Sequence, residues 1–268
     1  MKDFKDKVAV ITGGASGIGL AVATALGREG ARLVLADIEQ EALDQAVAGL
    51  AAQGVEVVGK LVDVRERSEV AALADFAWHR FGAVHILFNN AGVAVFGPTH
   101  AMTHDDWRWV MDVNLWGPIH GAEVFTPRML AQGEETHILF TASFAGLAPN
   151  LNLGPYNVTK AGVVALAESL WRDLKGTPVG VSVLCPQRVT SNIDKSARNR
   201  PGELASGPKA EPAPWKMVAA RTLDADDVAE MVLGGLRRND LFIVTHKESQ
   251  ASIRRRYERI DSAFEHAV

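Results

Sequence analysis

Cysteine is almost missing from this chain: Cys185 is the one thiol in 268 residues, so no intramolecular disulfide can form. That fits a reducing compartment. No apolar run approaches the ~18 residues a membrane-spanning helix needs. The first residues, Met1 to Lys7, are rich in charge and lead straight into a strand-like segment. They lack the apolar stretch and small-residue cleavage site of a secretory leader. Strong charge is absent as well. A net charge of -4 gives no electrostatic reason to expect nucleic acid. The expectations are a cytoplasmic protein with no membrane and no nucleic-acid partner, and no metal site. No internal repeat or low-complexity segment is visible.

What is present is a hydrophobic fraction of 47%, ample for a sizeable core. Short apolar runs alternate with longer helical segments. Val8–Thr12, Arg32–Ala36, Val55–Val62, Val84–Phe88, Thr136–Thr141, Val179–Leu184 and Leu241–Thr245 read as strands buried on both faces. Between them the spacing predicts helices from Gly17 to near Gly30, then over Glu39–Gln53, Glu66–Phe81, Asp105–Gln132, Tyr156–Lys175 and Asp224–Arg237. This alternation implies right-handed βαβ crossovers and an α/β, doubly wound parallel sheet in one domain spanning 1–268.

One composition break stands out. Asn192–Trp215 holds Pro201, Pro208, Pro212 and Pro214 and reads as a long functional loop. Beyond it, Ser249–Phe264 spaces Ile253, Tyr257, Ile260 and Phe264 as one apolar helical stripe. That stripe is expected to pack on its own domain, with pocket closure or a dimer contact left open.

The first strand ends in Thr12-Gly13-Gly14-Ala15-Ser16-Gly17-Ile18-Gly19. Such a turn brings backbone N–H groups and the positive end of a helix to one place, where a pair of phosphates can be held. Glycines also serve plain turns, but this turn lies between strand and helix at the start of a βα series. The second strand leads to Asp37, whose carboxylate can accept from ribose hydroxyls and would repel a 2′-phosphate. No Arg or Lys occupies position 16 or 38 to offset it. NAD is therefore expected over NADP. Asp63-Val64 and Asn89-Asn90-Ala91-Gly92 end the third and fourth strands, where ligands of such sheets lie. Asn89 and Asn90 can also be plain turn residues.

Tyr156 and Lys160 stand four apart, on one face of a predicted helix. A cation ~4 Å from a phenol, at an effective dielectric of ~20, contributes about 4 kcal/mol, or roughly three pKa units. The expectation is a phenol lowered from ~10 toward the range of a general acid/base. Ser143, after Thr141-Ala142, can face the same substrate oxygen. Asn114, within an apolar helix, can hold a water leading to Lys160, since a buried amide calls for a partner.

These motifs, in this order, resemble the short-chain dehydrogenase/reductase family in its single-domain form, over roughly Phe4 to Val244. The resemblance implies a seven-stranded Rossmann sheet and a homo-oligomer, a homotetramer or a dimer. It implies Asn114, Ser143, Tyr156 and Lys160 as catalytic residues. Cofactor contacts would come from Gly13, Ser16, Gly17, Ile18, Gly19, Asp37, Ile38, Asp63, Val64, Asn90, Ala91, Gly92, Tyr156, Lys160, Pro186, Val189 and Ser191. More loosely, Met1–Phe4 and Gly180–Ile193 resemble bacterial dehydrogenases of benzylic secondary alcohols in lignin-derived aryl ethers. One departure is local: Gln187 stands where the family has glycine after Pro186, and Ser191 where it has threonine.

The pocket walls are expected at Val93, Val95, Phe96, Phe144, Leu147 and Leu151, with Trp215 and Met217 closing over them. They imply a hydrophobic or aromatic secondary alcohol or ketone. Arg188 can meet an anionic substrate or be a solvated loop residue. Cys185 reads as buried filler. Two other readings stand beside the alcohol dehydrogenase: a ketoacyl-thioester reductase with basic surface from Arg128 and Arg172, and a dinucleotide sensor without turnover.

Overall fold

Strand β1 (Val8–Thr12) is buried at every position, and its side chains divide between two cores with the period of two that a strand imposes. Val8 and Val10 enter one core, and Ala9 and Ile11 the other. β1 therefore lies inside a sheet covered on both faces. The remaining strands are β2 (Arg32–Asp37), β3 (Val57–Leu61), β4 (Ile86–Asn89), β5 (Thr136–Thr141), β6 (Val179–Cys185) and β7 (Phe242–Val244). All pair in parallel, in the order β3-β2-β1-β4-β5-β6-β7. The structure is a computed structural model and describes residues 1–205 and 221–267.

Helices α1 (Gly17–Arg28), α2 (Gln40–Ala51) and α8 (Ala225–Arg238) cover one face through Val22, Leu26, Leu43, Leu50, Val228 and Leu236. α3 (Arg67–Phe81), α4 (His104–Met111), α5 (Gly117–Gln132) and α7 (Gly154–Asp173) cover the other through Leu73, Trp109, Phe125 and Val163. This is the seven-stranded Rossmann arrangement that the sequence motifs imply. Their boundaries are chemical. Thr103 and Asp106 form a reciprocal cap at the start of α4. Gly82 ends α3 at φ +77°, a left-handed conformation that glycine adopts without steric cost.

Three segments differ from the sequence expectation. The helix expected over Asp105–Gln132 is α4 and α5 joined by a π turn, Asp112–Trp116, in which Gly117 N–H reaches back to Asp112 O. Asn114 lies in that turn, and widened turns of this kind often mark functional positions. A short helix, α6 (Phe144–Leu147), follows β5 directly. The segment after residue 192 is not plain loop where it is described: Ile193–Asn199 and Gly202–Leu204 form 3-10 turns. Pro208, Pro212, Pro214, Trp215 and Met217 lie outside the described residues.

The C-terminal helix α9 (Gln250–Asp261) does not pack its stripe on the domain. It buries no residue, and Tyr257, Ile260 and Phe264 are all exposed. Its contacts with the domain are polar, from Ser249 just before its first turn and Arg256 midway along it.

Candidate active site

The carboxyl ends of the central strands open onto one crevice. At its floor, Thr12 closes β1 and its hydroxyl accepts from the N–H groups of Asn90 and Ala91, at 3.0 and 3.2 Å. The Asn90 amide donates to the carbonyls of Thr12 and Gly13, both at 3.1 Å, and accepts from the Thr141 hydroxyl at 3.0 Å. Asn90 thus ties β1, β4 and β5 together beneath the crevice, so it is more than a turn residue. Asn89 instead points into the core against Gly121.

Of the residues marked from sequence, Gly13, Ser16, Gly17, Ile18, Asp37, Ile38, Asp63, Val64, Asn90, Ala91 and Gly92 line this crevice. Ser143, Tyr156, Lys160, Pro186, Val189 and Ser191 line it too. Two marked residues do not. Gly19 lies behind the turn, where an added Cβ would be 2.1 Å from Gly13 O; it permits helix and strand to meet but offers no surface. Asn114 is fully buried behind Gly92.

At one end of the crevice the Asp37 carboxylate is fixed by the N–H groups of Ala15, Ile38 and Glu39, at 3.0, 2.8 and 3.2 Å. Asp63 is held by Arg65 through both carboxylate oxygens. Two residues beyond Asp37, Glu39 receives Arg198 and Asn199 from the segment after β6, the Asn199 amide at 2.8 Å. The Arg198 guanidinium holds the Glu39 carboxyl below the usual carboxylate range. A cation therefore reaches this end of the crevice from a position other than 16 or 38, and it is engaged by Glu39.

At the other end, Tyr156 lies in the first turn of α7 and Lys160 one turn further. The Lys160 ammonium donates to Thr141 O at 2.8 Å and lies 5.5 Å from the Tyr156 ring centroid. Burial pushes Lys160 down to about 8. Burial also pushes the Tyr156 phenol up to about 12; the Ser143 hydroxyl beside it works the other way, and Asp194 adds to the rise. The phenol is thus raised, not lowered as the helical pair alone suggests. In the protein by itself, removal from water outweighs the hydrogen bond with Ser143.

The Asn114 amide is committed to the backbone of Val93, accepting its N–H and donating to its carbonyl, each at 2.8 Å. A Cβ at Gly92 would lie 3.5 Å from both Asn114 Oδ1 and Lys160 Nζ, so the two groups face one point.

A family model described as short chain dehydrogenase matches residues 7–202. The chain belongs to the short-chain dehydrogenase family. It is 36% identical to C alpha-dehydrogenase of Sphingobium sp. (strain SYK-6), over 97% of this chain and 87% of that protein. It is 35% identical to 1-deoxy-11-beta-hydroxypentalenate dehydrogenase of Streptomyces avermitilis, over 93% and 88%. A short-chain dehydrogenase/reductase from Burkholderia phymatum, solved in complex with NAD, superposes with a TM-score of 0.93 at 41% identity, covering 98% of this chain and 97% of that one. The protein is thus an oxidoreductase acting on CH–OH groups.

In this dehydrogenase a second cavity, of about 450 Å³, adjoins the crevice. Phe96, Phe144, Leu153, Val189 and Ile193 form its apolar lining, and Asn150, Arg188, Thr190, Asp194 and Thr222 its polar one. The walls expected from sequence are partly wrong. Val93 lines the cofactor crevice instead, Val95 is buried in the core, and Leu151 is 78% exposed. Asn152, at φ +58°, reverses the chain and turns Leu153 inward in place of Leu151. Arg188 shares the cavity with Asp194, so the lining carries both signs and does not single out an anionic substrate. Arg128 is spent on Asp75 and the Trp78 ring and gives no open basic patch.

Sequence reasoning missed the contacts that hold the segment after β6 over the site. Ser196 donates to Ala94 O and accepts its N–H, at 3.2 and 3.0 Å. Arg200 pairs with buried Asp106 at 2.6 Å. A small hydroxyl and a loop arginine carry no signal in sequence that would single them out.

Proposed function

We propose that this dehydrogenase uses NAD to interconvert a secondary alcohol and a ketone, with Tyr156 as general acid/base, on a substrate with a hydrophobic or aromatic body and polar substituents. The observation that carries the reading is the meeting of Ser143, Tyr156 and Lys160 on the crevice that also runs past the glycine turn and Asp37. The residues fit a dinucleotide: the close approach of Gly19 to Gly13 O leaves a turn without side-chain bulk, and Asp37 is oriented by three N–H groups.

Bound NAD supplies the hydride acceptor. Ser143 and Tyr156 hold the carbinol oxygen, and Tyr156 takes its proton as the C–H hydride leaves. Lys160 is held by Thr141 O beside the ribose position and is cationic below about pH 8. The positive charge of the oxidised nicotinamide, when bound, would favour the phenolate and draw Tyr156 down from about 12. Asn114 shapes the loop after β4 through Val93, and a water bound near it would connect Lys160 to solvent.

NAD is preferred over NADP in this reading because Asp37 and Glu39 meet the adenosine ribose, while Arg198 is bound to Glu39. The narrower likeness to benzylic-alcohol dehydrogenases agrees with Phe96 and Phe144 in the second cavity. Self-association into a tetramer or dimer is supported by the exposed stripe of α9. Absorbance of the reduced nucleotide, followed with NAD and a panel of secondary alcohols, tests the proposal. Turnover of aromatic secondary alcohols is expected; tight NAD binding with no turnover of any would overturn it in favour of a sensor.

A further inference from the structure

Six residues line both the cofactor crevice and the second cavity: Ser143, Tyr156, Gln187, Val189, Ser191 and Ile193. They mark the junction where cofactor and substrate meet. Gln187 is the amide among them, and it is also the departure from the glycine that the family resemblance implies at this place. Its Oε1 accepts the Ser249 hydroxyl at 2.7 Å. Ser249 is 1% exposed and stands at the root of α9, so one end of the Gln187 amide is fixed by a buried donor. Among the described residues the other end, Nε2, has no acceptor in the protein, and it is not sealed away from the cavities. A polar group that is oriented yet unspent, at the edge of a binding site, is suited to reading a ligand.

α9 braces the opposite wall as well. Arg256 donates to Leu147 O at 2.9 Å, at the end of the short helix that begins after Ser143. The C-terminal segment, which lies beyond residues 7–202 matched by the family model, thereby touches both loops that wall the substrate cavity.

We propose that Gln187 is a specificity-determining residue whose side-chain N–H group, oriented by Ser249, binds an acceptor oxygen of the substrate close to the reacting carbinol. The inference rests on the alcohol dehydrogenase reading above and adds the substrate feature: an ether, hydroxyl or carbonyl oxygen near the carbon that is oxidised. A glycine at this place would remove the N–H group, and an alanine at 249 would release it.

The test compares 2-methoxy-1-phenylethanol with 1-phenylethanol, which lacks the second oxygen, in wild type, Gln187→Leu and Ser249→Ala at saturating NAD. Wild type is expected to prefer the methoxy alcohol. Gln187→Leu is expected to lower kcat/KM for that alcohol about tenfold, mainly through KM, the scale of one lost hydrogen bond. The simple alcohol should lose clearly less than the methoxy alcohol, and Ser249→Ala should lose part of the same preference. A parallel loss on both alcohols would make Gln187 a purely structural tie and overturn the proposal, as would no loss on either. Should wild type oxidise neither alcohol, the reaction reading fails, and the corresponding ketones decide the Gln187 proposal separately. Preferential binding of the methoxy ketone to the NADH complex, lost in Gln187→Leu, supports it; equal or absent binding of both ketones overturns it.

Discussion

Two clusters of buried titratable groups lie along β5 and β6, and they differ in what surrounds them. Toward the start of β5, His137 is 1% exposed and bonds Ser182 Oγ at 2.8 Å, and Ser182 in turn donates to Asp240 O. Burial pushes His137 down to about 3. Beyond the ends of the same strands, burial pushes Lys160 down to about 8 and Tyr156 up to about 12. All three groups are perturbed by the same cause, removal from water. The difference is the cavity: Tyr156 and Lys160 face the crevice, and His137 lines neither the crevice nor the second cavity. A shifted pKa marks burial; a shifted pKa on a cavity that fits a ligand marks chemistry.

Four substitutions sharpen that contrast. The largest effect is expected for Tyr156→Phe, which should lower turnover toward the upper end of the roughly 10²–10⁴-fold that general acid/base catalysis supplies, in steady-state assays, while NAD binding persists. Lys160→Met comes next. Turnover should fall at least about 100-fold, yet the protein without cofactor should resist denaturant better at neutral pH, by about 1–2 kcal/mol once the lost bond to Thr141 O is set against the removed burial cost. The sign follows from the protons. Lys160 ionises near 8 when folded and near 10.5 when unfolded, so between these values the unfolded chain binds more protons and stability rises with pH. The variant should lose that rise in a denaturant series across pH 8 to 10.5.

His137→Gln should leave turnover within about twofold, since His137 lines neither the crevice nor the second cavity. In wild type, His137 remains neutral when folded down to about 3 but takes a proton near 6.5 when unfolded, so stability falls as pH drops through this window. Unfolding midpoints should show that fall flattened in the variant. The smallest effect is expected for Glu39→Gln. It weakens the hold on Arg198 and should move the NAD-to-NADP ratio of kcat/KM about two- to fivefold toward NADP, the scale of a partly exposed charge. An unchanged ratio would remove Arg198 from the account of cofactor choice.

Much of the cofactor half was legible in the sequence because its logic is local. The turn from Gly13 to Gly19, Asp37 at the end of β2 and the pair at 156 and 160 each sit within one element or its exit. The contacts that hold the segment after β6 and the C-terminal helix over the site were not, because they join distant residues. Arg198 meets Glu39 across 159 positions, Ser196 meets Ala94 across 102, and Ser249 meets Gln187 across 62. Backbone detail decided the rest. The left-handed Asn152 exchanged Leu151 for Leu153 in the cavity wall, and the π turn set Asn114 against Val93. The phenol was misjudged for a physical reason: helical spacing gives the distance to Lys160 but not the depth of burial, and burial is the larger effect.

The chain has two tyrosines, Tyr156 and Tyr257, so a Tyr257→Phe variant leaves one phenol to follow. Its ultraviolet titration, with and without saturating NAD, tests most directly whether Tyr156 is the acid/base of this site. Without NAD the phenol should stay protonated throughout the range in which the protein is folded, consistent with a value pushed up to about 12. With NAD it should ionise at least about two units lower, drawn down by the nicotinamide charge. Identical titrations in the two conditions would contradict the account.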